Sequence, residues 1–175
     1  QSPPIVNTID KFPFATDASA TDVGDLTRVI NLQAGQSSTD NGYNSGGNPS
    51  SNVIDKFPFA TDANATDVGD LTQARVGVSG QSSDTDGYTS GGNVFPSFTT
   101  IDKFPFATDA NATDVGDLTQ ARYTMAGQSS STDGYNSGGF PSTNTIDKFP
   151  FATDANATDV GDLTQTRNGP AGQQD

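Results

Sequence analysis

The nineteen residues IDKFPFATDANATDVGDLT begin at Ile54, again at Ile101 and Ile146, and once more at Ile9 with Ser19 in place of Asn. This recurrence constrains the fold more than any other feature. A unit of about 45 residues cannot bury its own apolar faces and must be covered by copies of itself. The four starts are spaced by 45, 47 and 45 residues. The two extra residues fall within 93–98, Asn-Val-Phe-Pro-Ser-Phe, which is therefore a loop that accepts insertions. Elsewhere the units keep register: Gly35, Gly80 and Gly127 open a Gly-Gln-Ser-Ser block, and Tyr43, Tyr88 and Tyr135 follow a glycine in each.

No segment has the 3.6-residue apolar period of a helix. Strands are expected instead over Thr119–Ala126, ended by Gly127; over Asp133–Ser137, stopped by Gly138-Gly139; over Thr145–Ala152; and, more briefly, around Val160–Thr164. Phe149 and Phe151 are two apart and share one face of a strand, while Ile146 has the opposite parity. Such a strand is apolar on both sides, as a sheet between two neighbours requires. Pro150 has no N–H to donate and belongs at an edge or a bulge. The expectation is an all-β chain, a single repeat domain over 1–175 with units starting near Ile9, Ile54, Ile101 and Ile146. The last unit is incomplete, because 165–175 opens another Gly-Gln block without reaching Gly-Tyr. A period near 45 residues suits the blades of a β-propeller, here about four, or an open blade array.

All 21 acidic residues are Asp, against 8 bases, for a net charge of −13. Each base has its place in the repeat: Lys11, Lys56, Lys103 and Lys148 in one register, and Arg28, Arg75, Arg122 and Arg167 after each Gly-Asp-Leu-Thr, with Arg28 two residues earlier than the others. That charge repels phosphate backbones and makes nucleic acid a poor partner. No apolar run reaches the ~18–20 residues of a membrane-spanning helix, so no membrane insertion is expected. Without Cys or His there are no disulfides, no thiolate metal sites and no imidazole base. An enzyme built on this chain would need paired aspartates. Every aspartate of the repeat recurs, whereas a catalytic pair occurs once, so no enzymatic activity is expected. The lysines and arginines are expected to pair with aspartates across units; a ring of arginines lining a channel is the bolder alternative. The tyrosines are expected to pack between units with their hydroxyls at the rim; sugar stacking is the other reading.

The order Arg122, Gly134-Tyr135, Gly138-Gly139, Ile146-Asp147-Lys148-Phe149 resembles a kelch-type propeller blade, without the tryptophan of that family. The alternation of the Ile-Asp-Lys-Phe-Pro-Phe-Ala block with Gly-Gln-Ser-Ser…Gly-Tyr…Ser-Gly-Gly is also similar to tandem repeats in proteins of environmental bacteria and their phages. That resemblance implies an extracellular or virion location. Within each unit an acidic loop places oxygen side chains at alternate positions, as a hard cation requires. It resembles the calcium loops of integrin-type FG-GAP repeats. Carried over, the resemblance implies Ca2+ ligands Asp109, Asn111, Thr113 and Asp117 in one unit; Asp62, Asn64, Thr66 and Asp70 in another; Asp154, Asn156, Thr158 and Asp162 in a third; and Asp17, Thr21 and Asp25 beside Ser19. The alternative is a set of Asx and Ser/Thr turns joining two strands.

The functional expectation is a non-enzymatic structural or adhesive repeat protein of a phage particle or secreted surface assembly. Its partners would be further copies of itself, head to tail, forming an oligomer or a fibre. A carbohydrate-binding propeller directed at a cell-surface glycan is the alternative.

Overall fold

In a computed structural model, residues 4–172 are described. They form strands and turns, with no helix among them. The first sheet pairs β1 (Thr8–Lys11) with β2 (Thr21–Asp25). The second is an antiparallel meander of β3 (Ala34–Ser37), β4 (Asn41–Ser45), β5 (Ser51–Pro58) and β6 (Thr66–Arg75). The third repeats it with β7 (Ser79–Ser82), β8 (Asp86–Ser90), β9 (Thr100–Pro105) and β10 (Thr113–Asp117). The fourth has β11 (Ala126–Ser129), β12 (Asp133–Ser137), β13 (Thr143–Pro150) and β14 (Thr158–Arg167). The expected all-β repeat architecture is present. The sheets do not close into a ring.

The Ile-Asp-Lys-Phe strand explains how the sheets stack. In β5, Ile54 packs with Leu71 of its own sheet and Phe104 and Ala112 of the next, and Lys56 reaches Asp109 of that same sheet. Asp55 and Phe57 face the other way, toward Thr27, Leu26 and Ile30 of the first unit. Alternation along one strand thus supplies both faces of a layer covered on two sides. The apolar core is accordingly three clusters, one in each seam between consecutive sheets. A register shift at Ile54/Asp55, repeated at Ile146/Asp147, puts a bulge inside the strand, while Pro58 and Pro150 are the last residues of their strands.

Two strand assignments differ from the sequence reading. Thr119–Ala126 is not a strand: β10 ends at Asp117 and the chain turns before β11. Gly127, expected to end a strand, lies inside β11. The small residues of Ala126-Gly127-Gln128-Ser129 are needed there because first strands of neighbouring sheets pack closely against one another; a Cβ on Gly127 would stand 2.2 Å from the Gly80 carbonyl oxygen. The fourth strand is longer than expected in the last unit, running Thr158–Arg167 and taking up part of the acidic loop. Asp133–Ser137 and the Gly138-Gly139 stop agree with expectation, with both glycines at positive φ. The block opening at Gly172 continues into residues 173–175, which lie outside the described residues.

Candidate functional site

Polar side chains are concentrated in the seams. Arg75 and Asp102 are fully buried and meet at 2.6 Å through Nη2 and Oδ2. Arg75 Nη1 also donates to the carbonyls of Gly91 (2.9 Å) and Thr100 (3.0 Å). Asp102 accepts from the Thr72 hydroxyl (2.7 Å) and backbone N–H (3.1 Å). Arg122, Asp147 and Thr119 reproduce the arrangement one seam later, again with a 2.6 Å ion pair. In the first seam Thr27 holds Asp55 in the same way, but Arg28 stands off at 3.7 Å. Burial pushes the Arg75 pKa down, and the Asp102 charge opposes that shift. These arginines pair across units, as one sequence reading had it. They are interior rather than solvent-facing, which excludes Arg75 and Arg122 from lining a channel.

The lysines pair across the same seams at the surface: Lys11 with Asp62 at 2.8 Å, Lys56 with Asp109, and Lys103 with Asp154. Half-exposed pairs of this kind contribute about 0–1 kcal/mol each. Gln36 and Gln81, which sequence reasoning passed over, also cross seams. Gln36 Nε2 donates to Ser45 Oγ, the Tyr88 carbonyl and Thr89 Oγ1, at 2.9–3.0 Å. Gln81 Nε2 donates to Asn136 Oδ1 at 2.8 Å. Their fixed place after glycine in each Gly-Gln-Ser-Ser block was the available signal.

The acidic loops have duties of their own. Asn64, Asn111 and Asn156 each accept, at 3.1 Å, the backbone N–H of Asp25, Asp70 and Asp117 of the preceding unit. Asp62, Asp109 and Asp154 hold the lysines. Thr113 and Asp117 lie at opposite ends of β10, separated by about 13 Å of extended chain at the usual rise per residue. Thr66 and Asp70 stand likewise in β6, Thr158 and Asp162 in β14, and Thr21 and Asp25 in β2. The threonine and the second aspartate of each proposed set are thus held apart by a strand, while the first aspartate and the asparagine are engaged by the preceding unit.

Tyr43 and Tyr88 fill the outer part of the seams. Tyr43 stacks on Phe106 with ring centroids 4.8 Å apart and lies 5.6 Å from Phe104; Tyr88 meets Phe151 and Phe149 at 4.8 and 5.4 Å. The preceding glycine is needed because the phenylalanine ring of the neighbouring strand crosses it: a Cβ on Gly87 would stand 2.3 Å from Phe104 Cζ. Burial pushes the Tyr88 hydroxyl up to about 12 and raises that of Tyr43. A phenol that titrates later in the folded chain stabilises the fold below pH 10.0, its ordinary value, and loses that contribution as pH rises through the folded value. Thermal melting is therefore expected to hold up to about pH 10 and to fall steeply between pH 10 and 12, by roughly 2 kcal/mol from Tyr88 alone. Tyr88→Phe should flatten that fall, as measured by calorimetry across the alkaline range.

In the first seam the corresponding place is open. A groove of about 200 Å³ runs between β1 and β5, lined by Ile9, Phe12, Phe57 and Phe59 with Lys11 and Asp62 at its rim. In the next two seams that position holds Tyr43 and Tyr88. A second, polar cleft of about 420 Å³ follows the first strands of the sheets, with Gly35, Gly80, Gly127 and Gly172 all on its wall beside Gln36 and Gln81. No family model and no curated protein matches the sequence.

Proposed function

We propose that the chain is a non-enzymatic scaffold, a structural or adhesive module of a phage particle or a secreted surface assembly, built as a kelch-like blade array. The observation that carries this reading is how the charged side chains are used. In the unit starting at Ile101, Asp102 neutralises the buried Arg75, Asp109 holds Lys56 and Asn111 caps the neighbouring strand, and Asp147, Asp154 and Asn156 do the same in the unit starting at Ile146. The same chemistry recurs in consecutive seams, so these groups serve cohesion between units rather than turnover of a substrate. A location outside the cell rests on the resemblance to repeats of environmental bacteria and phages.

A second reading, recognition of a cell-surface glycan, is favoured by the open groove between β1 and β5, where Phe12, Phe57 and Phe59 offer aromatic surface beside Asp10, Lys11 and Asp62. Sugar recognition combines such apolar faces with a few polar groups. A glycan array probed with the intact chain separates the two. The scaffold reading expects no bound glycan at high protein concentration. Binding that disappears with Phe57→Ala or Phe59→Ala would replace it with the lectin reading.

A further inference from the structure

The second and third seams share one set of contacts, of which the first makes a part (Lys11–Asp62, Thr27–Asp55 and the Asn64 cap), and each half of that set is also present on an outer face, without its partner among the described residues. The outer face of the fourth sheet carries the forward half. Tyr135, the counterpart of buried Tyr43 and Tyr88, is only partly covered. Arg167, the counterpart of fully buried Arg75 and Arg122, is exposed. A Cβ on Gly161 meets nothing, whereas one on Gly24, Gly69 or Gly116 would strike the alanine carbonyl of the next unit at 2.4–2.5 Å. The outer face of the first unit carries the other half. Asp10, the counterpart of the fully buried Asp55, Asp102 and Asp147, is exposed. Phe12 and Phe14 are 56% and 96% exposed, where Phe104 and Phe149 are at 2% or less. A Cβ on Gly35 meets nothing, while Gly80, Gly127 and Gly172 each rest on the glycine carbonyl of the preceding unit.

We infer that the outer face of the fourth sheet docks the outer face of the first unit in a second copy of this chain, forming a fourth seam with the register of the other three. The register assigns the pairs. Lys148 takes Asp17, as Lys103 takes Asp154. Arg167 and Thr164 take Asp10, as Arg122 and Thr119 take Asp147. Tyr135 stacks on Phe12 and Phe14, as Tyr88 does on Phe149 and Phe151. Gly35 settles on the carbonyl of Gly172. The occupant is a second copy because both halves of the contact lie on one chain, opposite in charge and matched in shape to a seam that this fold already makes twice in full and once in part. Such a head-to-tail contact closes into a ring or extends as a filament, according to its rotation. The inference rests on the scaffold reading and specifies the surface through which that scaffold grows.

Sedimentation velocity of the intact chain over a concentration series tests it. The wild type is expected to self-associate as concentration rises. Gly35→Ala adds a methyl group that meets nothing in the single chain and a carbonyl in the docked pair. It should not lower the melting temperature at low concentration and should weaken association by about tenfold or more. Ser19→Asn restores the side chain that caps the neighbouring strand at 3.1 Å in the three internal seams, and should tighten association by about three- to tenfold. Lys148→Asp and Asp17→Lys should each weaken association alone and recover it when the two variants are mixed. A wild-type chain that sediments as one copy up to about millimolar concentration overturns the inference, as do Gly35→Ala and the charge exchange leaving association unchanged. Either result leaves the scaffold reading standing, since that reading is decided by the glycan array.

Discussion

Asp102→Asn is expected to destabilise the chain by about 3–5 kcal/mol, a large part of the ~5–15 kcal/mol that holds a domain together. The substitution is nearly isosteric, so packing is kept and only the charge is lost. What remains is the Arg75 guanidinium, fully buried and facing the carbonyls of Gly91 and Thr100 without a counter-ion. Removing one partner of a buried pair costs more than the pair contributes, because the desolvated charge left behind has nowhere to go. The seam also loses the ionised acceptor for the Thr72 hydroxyl and backbone N–H. Asp10→Asn changes the same residue in the same motif, but Asp10 is exposed, and its replacement should fall within about 0.5 kcal/mol at concentrations where the chain is single. Replacing both partners, Arg75→Met with Asp102→Leu, should recover most of the loss, since no charge then remains buried. Urea midpoints of the four proteins measure all of this. Equal losses for Asp10→Asn and Asp102→Asn would show that the buried pair has no special weight.

How much of this was legible in the sequence differs from strand to strand. The Ile-Asp-Lys-Phe strand was readable because alternation in a two-sided layer leaves a direct trace: Ile54 and Lys56 look forward, Asp55 and Phe57 look back. The Gly-Tyr strand was readable for a similar reason, since a tyrosine recurring at a fixed distance from a Phe-Pro-Phe block needs an aromatic neighbour. The first strand of each sheet was not. Ala-Gly-Gln-Ser has no β-branched or aromatic residue, and its glycine reads as a terminator. What places it in a sheet is the neighbouring sheet, through the Gly80 and Gly35 carbonyls and the side chains of Gln36 and Gln81. Burial of Arg75, Arg122, Asp102 and Asp147 was equally hidden, because charged residues in an acidic, polar chain carry no local sign that a partner 25 or 27 residues away will enclose them. The duties of the acidic loop were hidden as well. Alternating oxygens resemble a cation site, but Asp109 and Asn111 point at a different unit from the strand that carries Thr113 and Asp117.

Gly80→Ala and Gly35→Ala place the same methyl group at the same position of the same motif, and their outcomes should diverge. Neither glycine has a positive φ, so backbone strain does not separate them. What separates them is the neighbour. A Cβ on Gly80 would lie 2.3 Å from the Gly35 carbonyl oxygen and 3.1 Å from Gln36 Nε2; one on Gly35 meets nothing within 4 Å. The carbonyl belongs to a paired strand and cannot swing aside as the end of a flexible side chain would. To accept the methyl group, β7 must move away from β3, and the bonds from Gln36 to Tyr88 and Thr89 lengthen with it. A cost of about 2–3 kcal/mol is expected for Gly80→Ala, at the upper end of overpacking. Gly127→Ala, at 2.2 Å from the Gly80 carbonyl, should behave alike. In the single chain, Gly35→Ala should be neutral or gain up to about 1 kcal/mol, because alanine restricts the unfolded chain more than glycine does. Hydrogen exchange would locate the loss in the second and third sheets for Gly80→Ala and find none for Gly35→Ala. Since repeats of this kind derive their stability from their interfaces, one methyl group at a seam should weaken both units it joins. If the two variants melted together, the close approach of first strands would not be what holds consecutive sheets in register.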